Sequence, residues 1–134
     1  MIAQNDIFEQ VKKVLLRRAD LKLVIVYGSV VTEAFRNTSD VDIAVLLENP
    51  MDADDKLDLL GELSNVLKRD VDLVDLYKLN GVLLKQILTK GVIIFKLNDS
   101  FVYKLLKRMI YNQSDFMPYY HREVKNRVED FING

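Results

Sequence analysis

The chain has 134 residues, of which 49% are apolar and 29% charged, with a net charge of −1; this fits one soluble domain that can bury a core without staples. It has no cysteine, which excludes a disulfide framework and a thiolate zinc site and suits a cytoplasmic location. No apolar run reads as a signal peptide or a bilayer span, and the lack of a strongly basic block argues against direct nucleic-acid binding.

Ile7, Val11, Val14 and Leu15 recur at helical spacing, with Asp6 placed as an N-cap. Leu21 to Tyr27 is a β-branched run closed by Gly28 and reads as a buried strand. Val41 to Leu47 is a second such run, ended by Asn49-Pro50. Asp52, Asp54 and Asp55 then open a helix with Leu57, Leu60, Leu63 and Leu67 on its inner face, and acidic side chains suit that end of a helix dipole. Val71 to Leu76 is a third strand. Asn80 is placed to cap a helix carrying Leu83, Leu84, Ile87 and Leu88, and Gly91 sits like a C′ glycine that needs positive φ. Val92 to Phe95 is a fourth strand, and the chain from about residue 98 reads as helical, with Pro118 breaking or restarting it. Strands alternating with helices predict an α/β (α+β) domain with a small mixed sheet.

Three pieces of this pattern carry chemistry. Tyr27-Gly28-Ser29 ends the first strand, Asp40-Val41-Asp42 begins the second, and Asp70-Val71-Asp72 begins the third. Strand side chains alternate, so Asp40 and Asp42 point the same way. Adjacent carboxylates repel unless a cation lies between them. Magnesium suits that position, since it is usually held by one or two carboxylates plus substrate phosphates. A third carboxylate on a neighbouring strand allows two ions roughly 4 Å apart. Gly28 removes a Cβ where a phosphate must approach, and Ser29 offers a hydroxyl and an N–H at the start of a short helix over 30–35.

Taken singly, each feature is ordinary: Gly-Ser makes turns, and aspartates cap strand ends. Together, two carboxylates inside apolar runs, after a strand ending in Gly-Ser, are costly without a ligand. Asp70 and Asp72 share a face and Asp75 takes the other. Asp70, after Lys68-Arg69, reads as a solvated strand entry, and Asp75 as a cap or a supporting group. Other signals fail. The Asp52–Lys56 stretch is not an EF-hand, because Leu57 and Leu63 stand where its glycine and final acid belong. His121 is the only histidine, and neither a GxGxxG fingerprint nor a P-loop is present.

Gly28-Ser29, ten residues, then Asp40-x-Asp42 resembles the signature of the DNA-polymerase-β-like nucleotidyltransferases. The stretches Ser39 to Val45 and Asp70 to Leu76 are similar to the minimal nucleotidyltransferases, the antitoxin halves of HEPN–MNT toxin–antitoxin pairs. The resemblance implies a single nucleotidyltransferase domain over 1–134, with a core at about 20–97 and a helical C-terminal segment at about 98–134. It further implies helices packed mainly on one face of the sheet and an open cleft holding the carboxylates. By resemblance, Asp40 and Asp42 bind two Mg2+ ions, Asp72 completes the site and helps activate the attacking hydroxyl, and Gly28 and Ser29 hold the triphosphate of ATP, the substrate. The implied reaction moves AMP to a tyrosine of a cognate HEPN ribonuclease toxin, with which the chain forms a hetero-oligomer. The alternatives are neutralisation by direct binding alone, or transfer to a small-molecule hydroxyl, for which 134 residues leave little room for an acceptor domain.

One position departs from the family pattern: many members carry glycine near position 33, where this chain has Glu33, a carboxylate unfavourable beside a triphosphate. The HEPN toxin's own signature is absent around His121, since Phe116 and Glu123 occupy its arginine and tyrosine positions. Phe101, Leu105, Leu106 and Ile110 are expected to pack a helix on the sheet. Met109, Tyr111, Phe116, Met117, Tyr119 and Tyr120, around Pro118, exceed one helix face and read as a docking surface.

Overall fold

The computed structural model describes residues 4–32 and 39–112. Its elements are α1 (Gln4–Leu15), β1 (Leu21–Tyr27), a 3-10 turn (Gly28–Val31), β2 (Val41–Leu47), α2 (Ala53–Leu67), β3 (Val71–Asp75), α3 (Gly81–Lys90), β4 (Val92–Lys96) and α4 (Asp99–Asn112). The first two strands occupy the two apolar runs read from the sequence. Glu33 and the residues Phe116, Met117, Tyr119, Tyr120 and His121 lie outside the described residues. The helix expected over 30–35 is, as far as it is described, a 3-10 turn ending at Val31. Among the described residues no helix is long and apolar enough to cross a membrane.

The four strands form one mixed sheet in the order β3-β2-β1-β4. β1 pairs antiparallel with β2 and β4, while β2 and β3 run parallel. The parallel pair needs a crossover, which α2 supplies. A capping box starts α2: the Asp52 side chain accepts from the Asp55 N–H at 2.8 Å, and the Asp55 carboxylate accepts from the Asp52 N–H at 3.5 Å. The helix ends on Lys68 in the left-handed region, at φ 56°.

Alternation along the strands separates two cores. Val24, Val26, Val41, Ile43 and Val45 pack with α1 and with Leu59, Leu63 and Leu67 of α2. Leu23, Ile25, Tyr27, Ala44 and Leu46 pack with α3 and α4. A register shift between Leu21 and Leu23 puts Leu21 into the first core, although it shares parity with Leu23. The helices are therefore divided between both faces, which corrects the expectation of packing mainly on one. Near-continuous apolar strands such as β1 are what a sheet covered on both sides requires.

Four smaller expectations also change. Helix α1 starts by Gln4, so Asp6 lies in its first turn rather than capping it. Leu57 is 67% exposed, and the buried stripe of α2 runs through Leu59, Leu63 and Leu67 at i, i+4 spacing. Met109, assigned to a docking surface, is buried in the second core beside Val102, Leu105 and Leu106, and Phe101 and Ile110 pack against it as expected. Gly91 follows α3 in extended backbone, with φ −73° rather than a positive value. Its small size answers a close approach instead: a Cβ there would lie 2.5 Å from Ile25 Cγ2 and from the Ile87 carbonyl oxygen.

Candidate active site

At one end of the sheet, three side chains line up across neighbouring strands. Tyr27 stands opposite Asp42 in the β1–β2 pair, and Asp42 stands opposite Asp72 in the β2–β3 pair. Asp42 shares parity with Ala44 and Leu46, so it takes the face that α3 and α4 cover. Asp40 precedes β2 by one residue and shares that parity. Two bonds hold this end together: the Val41 N–H donates to the Asp70 carbonyl at 3.0 Å, and Arg69 Nη1 donates to the Ser39 carbonyl at 3.2 Å.

β1 ends in Gly28 at φ +77°. A Cβ there would be strained and would overlap the Asp42 carboxylate. The glycine thus lets the chain turn while Asp42 Oδ2 lies against the backbone. In the 3-10 turn that follows, the Thr32 N–H and hydroxyl both donate to the Ser29 carbonyl at 3.0 Å. Gln4 Nε2, from α1, donates to the Val30 carbonyl at 2.7 Å and fixes the turn from outside.

A cleft of about 310 Å³ opens beside Asp42, lined by Tyr27, Gly28, Val31, Thr32, Gln86 and Lys90. Asp42 is half-buried, while Asp40 and Asp72 are exposed. Burial first, and then the Asp72 and Asp40 carboxylates, hold the Asp42 carboxyl above the usual carboxylate range. The Tyr27 phenol is also pushed up, first by burial and then by Asp72 and Asp42, so it keeps its proton. Both shifts report burial first and the neighbouring carboxylates second.

Among the described residues, no three acidic, histidine or cysteine side chains converge closely enough to hold a metal ion by themselves. That is compatible with magnesium, which takes one or two carboxylates and completes its shell with substrate phosphates and water. Oxygen donors with unbalanced charge fit such an ion. The sequence candidates divide accordingly. Gly28 and Asp42 line the cleft, Asp40 and Asp72 flank Asp42, and Ser29 follows in the turn. Asp75 is elsewhere: 9% exposed, it accepts from the Met51 N–H at 2.9 Å and the Tyr77 N–H at 3.0 Å.

Sequence reasoning missed Gln86, Lys90 and the clamp from Gln4. Gln86 and Lys90 form an i, i+4 polar pair, which reads as an ordinary solvated helix face until β1 is placed beside it.

Residues 9–100 match the family described as polymerase beta, nucleotidyltransferase. The chain belongs to this family. The match includes part of α1, and so begins ahead of the core at residue 20 inferred from sequence. Over 71 residues the chain is 38% identical to protein adenylyltransferase MntA of Shewanella oneidensis, covering 53% of this chain and 51% of that protein. The match therefore spans about half the length of this curated relative. A crystal structure of a toxin–antitoxin with AMP-PNP superposes with a TM-score of 0.69 at 30% identity, covering 81% of this chain and 90% of the other. A structure of tri-AMPylated S. oneidensis HEPN toxin in complex with MNT antitoxin gives a TM-score of 0.65 at 25% identity, covering 98% and 99%. Among the described residues this member of the family carries a four-stranded mixed sheet with four α-helices around it.

Proposed function

We propose that this nucleotidyltransferase is an antitoxin that transfers AMP from ATP to a tyrosine hydroxyl of a cognate HEPN toxin in the cytoplasm, silencing it. The reading rests on one observation above others: Asp42 and Asp72 face each other across β2 and β3, beside a positive-φ glycine whose missing Cβ makes room for the Asp42 carboxylate. The relative with bound AMP-PNP supports ATP as donor, and the tri-AMPylated toxin of the other relative supports a HEPN protein as acceptor and hetero-oligomeric partner.

In this reading Asp40 and Asp42 hold two magnesium ions and Asp72 completes the site. When bound, the ions neutralise the carboxylates and offset charge on the phosphoryl oxygens. Asp72, exposed and opposite Asp42, accepts the proton of the incoming tyrosine hydroxyl. That oxygen bonds to the α-phosphorus as the bond to the α–β bridging oxygen breaks, and pyrophosphate departs with the electron pair. Gly28 and Ser29 lie along the triphosphate. Tyr27, kept protonated, can donate its phenolic O–H to the site. The whole chain, 1–134, acts as one domain, and the docked toxin supplies the orientation of its own hydroxyl.

The experiment is to incubate the chain with ATP, magnesium and the toxin encoded beside it, and to weigh the toxin by intact-mass spectrometry. One or more AMP additions on a tyrosine are expected, and none with Asp42→Asn. An unmodified toxin that is still neutralised by the chain or by Asp40→Asn would assign direct binding instead.

A further inference from the structure

We infer that Lys90 is a phosphate-binding residue of this site, holding the β- and γ-phosphates that leave as pyrophosphate; the inference rests on the nucleotidyltransferase reading above. Lys90 closes α3, and with Gln86 one turn earlier it lines the same cleft as Asp42. It is the one cationic side chain among the described residues lining that cleft.

Its position is enforced by the chain that follows. The Gly91 N–H donates to the Ile87 carbonyl at 2.9 Å, and the missing Cβ lets Gly91 sit against Ile25 and the Val26 carbonyl. Val92 then pairs with Val26 in the sheet. The last turn of α3 is thereby pinned beside the end of β1, where Tyr27 and Gly28 form the cleft wall. A larger residue at 91 would push α3, and Lys90 with it, away from that wall.

Among the described residues Lys90 makes no ion pair. A lysine in the last turn of a helix also meets the dipole favourably, but that role does not require a cleft. A cation that shares a cleft with the Asp42 carboxylate and is unpaired with it suits a ligand with charge at two places. The α-phosphate belongs beside Asp40, Asp42 and Asp72, where the acceptor oxygen bonds and the α–β bridging bond breaks. The departing pyrophosphate gains negative charge, and an ammonium with three donors meets it as a compact point charge.

The test compares ATP, pyrophosphate and AMP binding, each with magnesium, to the full chain and to its Lys90→Ala and Lys90→Arg variants by calorimetry. Lys90→Ala is expected to weaken ATP and pyrophosphate about tenfold, the effect of losing one charge-assisted hydrogen bond, and to leave AMP within about twofold. Lys90→Arg should restore most of the loss. Melting curves without nucleotide should coincide, since Lys90 is exposed. Unchanged ATP binding in Lys90→Ala, or equal weakening of AMP and ATP, would overturn the assignment while leaving the nucleotidyltransferase reading intact. If the wild-type chain binds none of the three, the functional reading fails and takes this inference with it.

Discussion

Asp42 lies directly opposite Asp72 across the parallel β2–β3 pair, so two carboxylates share one face of the sheet at neighbouring positions. Like charges placed opposite one another weaken a sheet, and burial of Asp42 adds to the cost. The sheet carries this arrangement because hydrophobic packing on both faces holds its strands regardless. Under the proposed reading, a cation bound between the carboxylates would relieve this repulsion.

Asp42→Asn should therefore reduce adenylyl transfer by at least about a hundredfold, by removing a proposed ligand. Without metal, it should not lower the melting temperature, because it relieves repulsion from Asp40 and Asp72. Melting curves with and without magnesium check both halves: magnesium should stabilise the wild-type chain and leave the variant nearly unmoved. A large loss of stability in metal-free Asp42→Asn would instead make Asp42 a structural residue.

Gly28→Ala should damage the site more than the fold. The alanine faces a φ of +77° and a direct overlap with the Asp42 carboxylate. The backbone strain amounts to roughly 1–2 kcal/mol, which circular-dichroism melts would register as a modest destabilisation. The displaced carboxylate should remove transfer altogether in protein that is still folded. Full activity in a folded Gly28→Ala variant would show that Asp42 can leave its position against the backbone at no cost to catalysis.

Much of this was legible in the chain. β1 and β2 have the bounds of their apolar runs, because Gly28 and Asn49-Pro50 end them sharply. The Gly-Ser and Asp-x-Asp pieces marked the candidate site because carboxylates in apolar runs are costly. The distribution of helices was signalled too, by the continuous burial of β1, but the family resemblance pointed to one-sided packing. Gly91 misled because glycine answers both positive φ and close packing, and sequence does not distinguish them. Lys90 was invisible, since a lysine one turn after a glutamine looks solvated until a strand end is placed across from it.

A pH effect is expected far from the cleft. Arg18 donates to Asp20 at 3.0 and 3.1 Å and to Asp55 at 3.3 Å, tying the turn between α1 and β1 to α2. The hydrogen bond from Arg18 holds the Asp20 carboxyl below its ordinary range, with burial opposing it. A depressed folded-state pKa contributes stability above the unfolded value, 3.8, and loses it as pH falls through the folded value. Since the Asp20 side chain is 34% exposed, solvent screening keeps the contribution within about 1 kcal/mol. Asp20→Asn should melt slightly lower at neutral pH, and its difference from wild type should shrink below about pH 4 and in high salt.

Asp72 and Asp75 occupy one strand three residues apart, and their substitutions should fail in opposite ways. Asp75 is buried, and its two oxygens accept from the Met51 and Tyr77 N–H groups. Arg108 of α4 donates to the Leu76 and Tyr77 carbonyls beside it; burial pushes that guanidinium below its ordinary range, and Asp75 opposes the shift. In Asp75→Asn one amide oxygen can still accept, but the amide nitrogen meets a second N–H, leaving a buried donor unsatisfied. That costs roughly 1–3 kcal/mol and should lower the melting temperature by several degrees, with the specific activity of the remaining folded protein within about twofold of wild type. Asp72→Asn changes an exposed carboxylate, so its melting temperature should hold while transfer to the toxin disappears. Thermal melts and single-turnover transfer, measured on both variants in parallel, decide the matter. If Asp75→Asn were inactive and stable, and Asp72→Asn active and unstable, the third carboxylate of the site would be Asp75.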